Sequence, residues 1–174
     1  MFRSLFRKRP SDRQALDLYA LAVEQARQPE FYTDLGVQDR IDARFELYTL
    51  HVLLLYVRLR KAGDREAELA QDIFDHYVSA LDNVLRELGV GDVGVGKKMR
   101  KLGEALYGRM TTYEKALTDG DREALVAAIA RNDFETDNSE SASALARYAL
   151  ESHALLAGQT IAEVEHAPKW AQIV

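Results

Sequence analysis

Apolar residues recur every three or four positions along most of the chain, which is the spacing of an amphipathic helix. The clearest stripe consists of Leu69, Ile73, Tyr77, Leu81, Val84 and Leu88. No stretch of useful length alternates apolar and polar residues in the way that a half-buried strand does. The pattern therefore predicts an all-α protein.

Six helices follow from these stripes and from the residues that can begin or end a helix. Their predicted ranges are about 11–28, 41–61, 64–88, 96–117, 122–132 and 137–156. Glycine followed by aspartate separates two pairs of them, at Gly63-Asp64 and Gly120-Asp121. Glycine accepts the left-handed position after a helix, and aspartate caps the next one. The segment 29–39 is predicted to be a loop that folds back on the core.

The same pattern divides the chain into three parts. Residues 11–157 form a single compact helical domain of about six helices. A basic amphipathic segment, residues 1–10, precedes the domain, and a tail, residues 158–174, follows it with one or two further helical turns. A length of 174 residues fits one domain of ordinary size.

The amino-acid composition limits the kinds of chemical site that the chain can form. The chain has no cysteine, which excludes disulfides, thiolate metal ligands and cysteine nucleophiles. Its longest apolar run, Phe45 to Val57, is interrupted by Glu46 and His51. The run is shorter than the roughly 20 residues that a membrane span needs. We therefore expect a buried core helix with His51 hydrogen-bonded inside it.

The net charge of -5 hides an uneven distribution, because the first nine residues, "MFRSLFRKR", carry four cations. Bulky apolar side chains are interleaved with these cations, which favours contact with an anionic membrane surface. The residues predicted to contact the membrane are Phe2, Arg3, Leu5, Phe6, Arg7, Lys8 and Arg9. The alternative is a frayed terminus. No apolar signal region follows, so we interpret the segment as part of the mature protein.

The stretch "LGVGDVGVGKKMR", residues 88–100, resembles two nucleotide-binding motifs. Gly89, Gly91 and Gly94 match the dinucleotide fingerprint, and the stretch also matches most of a phosphate-binding loop. Both motifs require a preceding strand, whereas an amphipathic helix precedes this stretch. Lys98 also stands where a phosphate-binding loop needs serine or threonine. We therefore predict an extended interhelical loop, packed on the domain or offered to a partner.

Four cations, Lys97, Lys98, Arg100 and Lys101, come directly after this loop. They occupy the predicted start of a helix, where the macrodipole disfavours positive charge. The placement favours a binding role, with an anionic lipid surface, ribosomal RNA or an acidic protein segment as the partner. The alternative is a solvated basic face.

Metal and catalytic sites are not predicted. Glu163 and His166 form one E-x-x-H motif, but a di-iron bundle needs two. Asp75-His76 is interpreted as a surface pair, because no serine or cysteine nucleophile stands in a recognisable context. We expect no cofactor and no enzymatic activity.

Two blocks of the sequence resemble the ubiquinol–cytochrome c chaperone family. The first is "FYTDLGVQDRIDARFELYTLHVLLLYVRLR", and the second is "LRELGVGDVGVGKKMRKLGEALYGR". The second block is the more specific, because its glycine-rich loop leads into a "KKM…YGR" helix. The resemblance extends over about residues 17–156.

The resemblance implies a factor that assembles the respiratory bc1 complex and catalyses nothing. Mitochondrial members of the family act with a small partner at the ribosome exit and bind newly made cytochrome b. This chain resembles the bacterial form, since it is short and carries no transit peptide. The implied location is the cytoplasm, at the cytoplasmic face of the inner membrane.

The implied partners are cytochrome b or another bc1 subunit, with an anionic membrane surface and the ribosome as further partners and no DNA. The predicted partner-binding residues are Gly89, Gly91, Asp92, Gly94, Gly96, Lys97, Lys98, Arg100, Lys101 and Arg109. The alternative function is a helical adaptor that binds RNA or anionic lipid and has no part in respiration.

Overall fold

The computed structural model describes residues 10–87, 92–133 and 139–174. Helices account for most of these residues, and none of them forms a strand, which confirms the all-α prediction. The eight helices of this part are α1 (Pro10–Ala26), α2 (Glu30–Thr33), α3 (Ile41–Leu59), α4 (Asp64–Glu87), α5 (Asp92–Asp119), α6 (Arg122–Asp133), α7 (Ser139–Gly158) and α8 (Ile161–His166). The six longer ones correspond to the six predicted helices. The two short ones lie in the predicted loop and tail.

Helix α3 is the centre of the fold, because its apolar residues surround the helix and five other helices cover it. It contacts α1, α4, α5, α6 and α7. Its fully buried side chains include Leu47, Leu50 and Leu54. A helix that is apolar all round belongs in a protein core or a membrane. None of the helices in the described ranges is both long and apolar enough to cross a membrane.

The C-terminal residues close the domain by returning to α1 and α3. Glu165 of α8 accepts a hydrogen bond from the Gln14 amide at 2.8 Å and forms an ion pair with Arg65. Trp170 packs edge-on against His51, with 5.1 Å between the ring centroids. The tail therefore belongs to the core.

Helix α5 begins at Asp92, four residues earlier than predicted. The extended loop is therefore wrong for residues 92–96, which are helical, while residues 88–91 lie outside the described part. Glycine permits a helix as well as a loop, so Gly94 and Gly96 do not mark a break. Lys97 consequently lies in the second turn, beyond the first turn in which the macrodipole acts.

The two glycine–aspartate junctions differ in geometry. Gly120 has a φ of 66°, and the Asp121 carboxylate accepts a hydrogen bond from the amide of Ala124 at 2.9 Å, as predicted. Gly63 has no positive φ, so its predicted left-handed position is wrong. Its carbonyl oxygen instead accepts the first hydrogen bond of α4, from the amide of Ala67 at 2.9 Å.

Candidate partner-binding site

An open groove of about 920 Å³ lies between α1, the first turns of α3, the second half of α4 and the first half of α5. Its walls are mainly apolar and aromatic, and the residues that form them are Tyr19, Val23, Ile41, Phe45, Tyr48, Tyr77, Ala80, Leu81, Val84, Leu85 and Leu102. Ile41 is 77% exposed and Val84 is 47% exposed, so both present apolar surface to solvent.

Tyr77 forms the rigid base of this groove. Its hydroxyl lies 2.6 Å from the Thr49 hydroxyl, and its ring stacks against Phe45 with 6.1 Å between centroids. Burial raises the pKa of Tyr77, so the phenol stays neutral. The base of the groove therefore carries no charge.

Charged residues form the rim of the groove on the side of α1 and α3. Arg40 pairs with Asp42 at 2.8 Å, and Arg44 pairs with Asp39 at 2.6 Å, with every partner at least half exposed. Such exposed pairs are weak, so their charges can be exchanged for those of a partner. Arg27 has no carboxylate partner in the described part and donates to the Tyr48 hydroxyl at 3.0 Å.

A buried ion pair joins α5 to α3 beside the groove. The Arg109 Nε donates to Glu46 Oε2 at 2.8 Å, and its Nη2 donates to the other carboxylate oxygen. The guanidinium also lies over the ring of Phe45, 5.6 Å from its centroid. Burial raises the pKa of Glu46 to about 7, while the charge of Arg109 opposes that rise. The pair fixes the position of α5 against the core.

Arg109 was predicted to bind a partner, and the structure places its side chain inside this pair. The partner-binding role stays a prediction, but the guanidinium already has a function in the fold. Sequence reasoning missed Glu46 as its counterpart. The sequence did contain one indication of this pair, because Glu46 is a carboxylate within the longest apolar run. A carboxylate that is buried there needs a cation close to it.

The four predicted cations of α5 lie together on its surface. Lys97, Lys98, Arg100 and Lys101 are all exposed, and none pairs with an acidic residue among those described. Lys98 precedes Leu102 by one helical turn, so the two share a face. Because Leu102 lines the groove, the cations and the groove are neighbours.

The remaining predicted site residues fall into two groups. Asp92 begins α5, Gly94 is half-buried and Gly96 is exposed. Gly89 and Gly91 lie outside the described residues, as do the membrane-contact residues 1–9. Their predicted roles stay predictions.

Three glycines of α5 have no internal explanation. A Cβ added at Gly96, Gly103 or Gly108 would meet nothing within 4 Å. Between the last two lies Tyr107, which is 74% exposed. A glycine inside a helix costs about 0.5–1 kcal/mol of stability relative to alanine. The packing around these three positions would accept alanine, so the fold itself does not explain why they are glycine.

The E-x-x-H motif has a structural explanation. The Glu163 carboxylate accepts a hydrogen bond from the amide of Thr160 at 2.8 Å, and Thr160 caps α8 in return. In the part of the chain that the structure describes, no three His, Cys, Asp or Glu side chains are grouped so as to hold a metal ion. Asp75 accepts from Gln71, and His76 contacts Asp12 of α1 at 3.1 Å.

Comparison with known proteins gives three findings. Residues 33–170 match a family model described as ubiquinol-cytochrome C chaperone. The ubiquinol-cytochrome-c reductase complex assembly factor 1 of Xenopus laevis is 25% identical over 118 residues, which are 68% of this chain and 58% of that protein. The crystal structure of the Cbp3 homolog from Brucella abortus is 32% identical, with a TM-score of 0.84, and the match covers 94% of this chain and 91% of that one.

Proposed function

Because the chain belongs to the ubiquinol–cytochrome C chaperone family, we propose that it binds newly made cytochrome b and promotes assembly of the bc1 complex. The observation that carries the proposal is the family match over residues 33–170. This range includes α3, α4 and α5, which build most of the groove. The chain spans 58% of the length of the Xenopus relative, so the role in assembly is an inference about this chain.

The geometry supports a binding role without catalysis. An unassembled subunit exposes the apolar faces by which it later contacts its neighbours in the complex. A groove with an apolar base and an exposed rim can cover such a face. Its charged groups are two exposed arginine–aspartate pairs and Arg27, which suit recognition of a partner better than activation of a substrate.

We also propose that the protein works at the cytoplasmic face of the inner membrane, as a peripheral protein. Its proposed client is a membrane protein, so capture has to occur close to the bilayer. The four cations among the first nine residues support attraction to anionic headgroups, and the exposed cations of α5 support attraction to a ribosome near the membrane. Another bc1 subunit is a further proposed partner.

Charge reversal of the α5 cations tests the proposal. A variant with Lys97→Glu, Lys98→Glu, Arg100→Glu and Lys101→Glu should keep its fold, because these side chains are exposed and unpaired among the described residues. Crosslinking of the purified variant to cytochrome b made by in vitro translation should fall about tenfold or more. Assembled bc1 complex should fall in cells that carry the variant.

A matched control changes other exposed cations, with Arg13→Glu, Arg131→Glu and Lys169→Glu combined. Its three reversals change the net charge by -6, compared with -8 for the fourfold variant, and it should capture cytochrome b normally. Failure of the unmodified protein to crosslink to cytochrome b, with normal bc1 levels in a deletion strain, would reject the proposal.

A helical adaptor for RNA or anionic lipid is the second candidate. The four unpaired cations on α5 favour it, since such a cluster attracts any polyanion. In that case RNA or anionic vesicles would bind in a salt-dependent way, while deletion of the gene would leave the bc1 complex intact.

A further inference from the structure

The groove presents apolar surface that nothing in the described part of the chain covers. Single exposed apolar residues are ordinary on a protein surface. Here Ile41 and Val84, among the most exposed large apolar residues of the described part, line the same groove as Phe45 and Leu81. The arrangement therefore indicates a surface that is covered by a partner.

The shape of the groove defines what it can hold. A pocket for a small ligand encloses most of the ligand's surface, whereas this groove is open to solvent. A transmembrane helix is apolar all round, so it would leave its outer face in water. An amphipathic helix fits a one-sided groove, because its apolar face is buried and its polar face stays solvated.

The charge of the groove's rim indicates which charged side chains the bound helix carries beside its apolar face. Arg27, Arg40 and Arg44 outnumber the two rim carboxylates, Asp39 and Asp42. This cationic border belongs to a protein whose net charge is -5. Among the described residues, Arg27 has the Tyr48 hydroxyl but no carboxylate as its partner. Charge complementarity therefore favours acidic side chains on the bound helix.

We propose that the groove binds an acidic amphipathic helix from a water-exposed part of the bc1 subunit that the protein assembles. Apolar residues of that helix, at positions i, i+3 or i+4 and i+7, pack on Phe45, Leu81 and Val84. Acidic residues on its flank face Arg27, Arg40 and Arg44 on the side of α1 and α3. This inference rests on the proposed function for the source of the helix, while the binding mode follows from the groove alone.

Synthetic peptides test the binding mode directly. Three helical peptides of about 20 residues are compared by fluorescence anisotropy with the full-length protein. The first has an apolar face and glutamates on one flank, the second replaces those glutamates with lysines, and the third has the first peptide's composition with the apolar spacing scrambled. The first should bind about tenfold more tightly than either control, and its affinity should fall with added salt.

Two variants locate the binding surface. Val84→Asp should weaken binding of the acidic peptide about tenfold or more, because it places a charge on the apolar wall. Leu155→Asp is the matched control, since Leu155 is 43% exposed on α7, away from the groove, and Val84 is 47% exposed. Arg27→Glu should reduce the preference for the acidic flank. Thermal melts establish that each variant is folded.

Three results would overturn the inference. The first is equal affinity for the acidic and basic peptides. The second is an equal loss of peptide binding in Val84→Asp and Leu155→Asp. The third is that Val84→Asp loses binding to anionic vesicles while its affinity for the acidic peptide is unchanged. Capture of cytochrome b is measured separately. If the peptide binds but cytochrome b is not captured, the proposed function is rejected while the groove remains a helix-binding site. If Val84→Asp leaves capture of cytochrome b unchanged, cytochrome b binds to another surface of the protein.

Discussion

At the scale of single residues, His51 shows how a polar side chain is accommodated in the core. Its Nδ1 lies 2.7 Å from the Leu47 carbonyl oxygen, and its Nε2 lies 2.8 Å from the Tyr148 hydroxyl. Because a carbonyl oxygen only accepts, Nδ1 carries the proton and Nε2 accepts from the tyrosine. Burial lowers the pKa of His51 to about 4. The expected hydrogen-bonded core histidine is confirmed, and it is neutral.

The neutral state of His51 predicts loss of stability in acid. The unfolded chain takes up a proton near pH 6.5, whereas the folded chain resists it until about pH 4. The contribution of His51 to the free energy of unfolding is therefore greatest above pH 6.5 and falls by about 3 kcal/mol as the pH falls towards 4. Glu46, with its raised pKa, contributes a change of opposite sign over the same range. Urea unfolding across this range measures their sum. Because Glu46 is common to both proteins, the difference in unfolding free energy between the unchanged protein and His51→Gln should follow the His51 contribution across this range. His166→Gln, at an exposed position, should show no such pH-dependent difference. An unchanged slope in His51→Gln would contradict the assignment.

The Glu46–Arg109 pair predicts a second effect at this scale. Arg109→Met should destabilise the protein by about 3–5 kcal/mol, because it leaves a buried carboxylate without its cation. Arg60→Met is the control, since Arg60 and Glu114 form a more exposed pair worth about 0–1 kcal/mol. Combining Arg109→Met with Glu46→Met should recover most of the loss. Denaturant midpoints measure all three. Normal stability with lost partner binding in Arg109→Met would instead assign Arg109 to the interface.

At the scale of elements, apolar spacing and capping residues were enough to predict the existence of the six longer helices, but not all of their buried positions. Val84, in the predicted apolar stripe of α4, is 47% exposed. The start of α5 was not predictable in this way, because Gly94 and Gly96 are compatible with a loop and with a helix. The Glu46–Arg109 pair joins residues 63 positions apart, so it cannot be predicted from the spacing of residues within one helix. The groove draws its walls from four helices, and only their packing brings Phe45 and Leu102 to the same surface.

Helix α5 also carries a prediction about its glycines. Gly103→Ala and Gly108→Ala should each raise stability by about 0.5–1 kcal/mol, because the added Cβ meets nothing within 4 Å. Gly120→Ala is the contrasting control and should be destabilising, because Gly120 has a φ of 66°. Thermal melts measure stability, and bc1 assembly in cells measures function. Greater stability with impaired assembly would indicate that a partner approaches α5 closely at these glycines. Loss of stability in Gly103→Ala would contradict the open space seen there.

At the scale of the whole molecule, charge is distributed unevenly over a protein with a net charge of -5. The exposed cations of α5 lie beside the groove, and the first nine residues carry four further cations. Client binding and membrane attraction therefore need not use the same surface. The two can be separated by changing one set of cations at a time.

Vesicle flotation makes that separation. The intact protein should bind anionic vesicles weakly and reversibly, since a short segment with three bulky apolar residues cannot anchor firmly. Each cation near the surface contributes about 1 kcal/mol, so binding should fall as salt screens the attraction. Deletion of residues 1–9 should abolish flotation and leave cytochrome b capture by the purified protein unchanged. The fourfold reversal at Lys97, Lys98, Arg100 and Lys101 should leave flotation unchanged and reduce cytochrome b capture. Flotation that survives the deletion and disappears in the reversal variant would move the membrane contact from the N-terminal segment to α5.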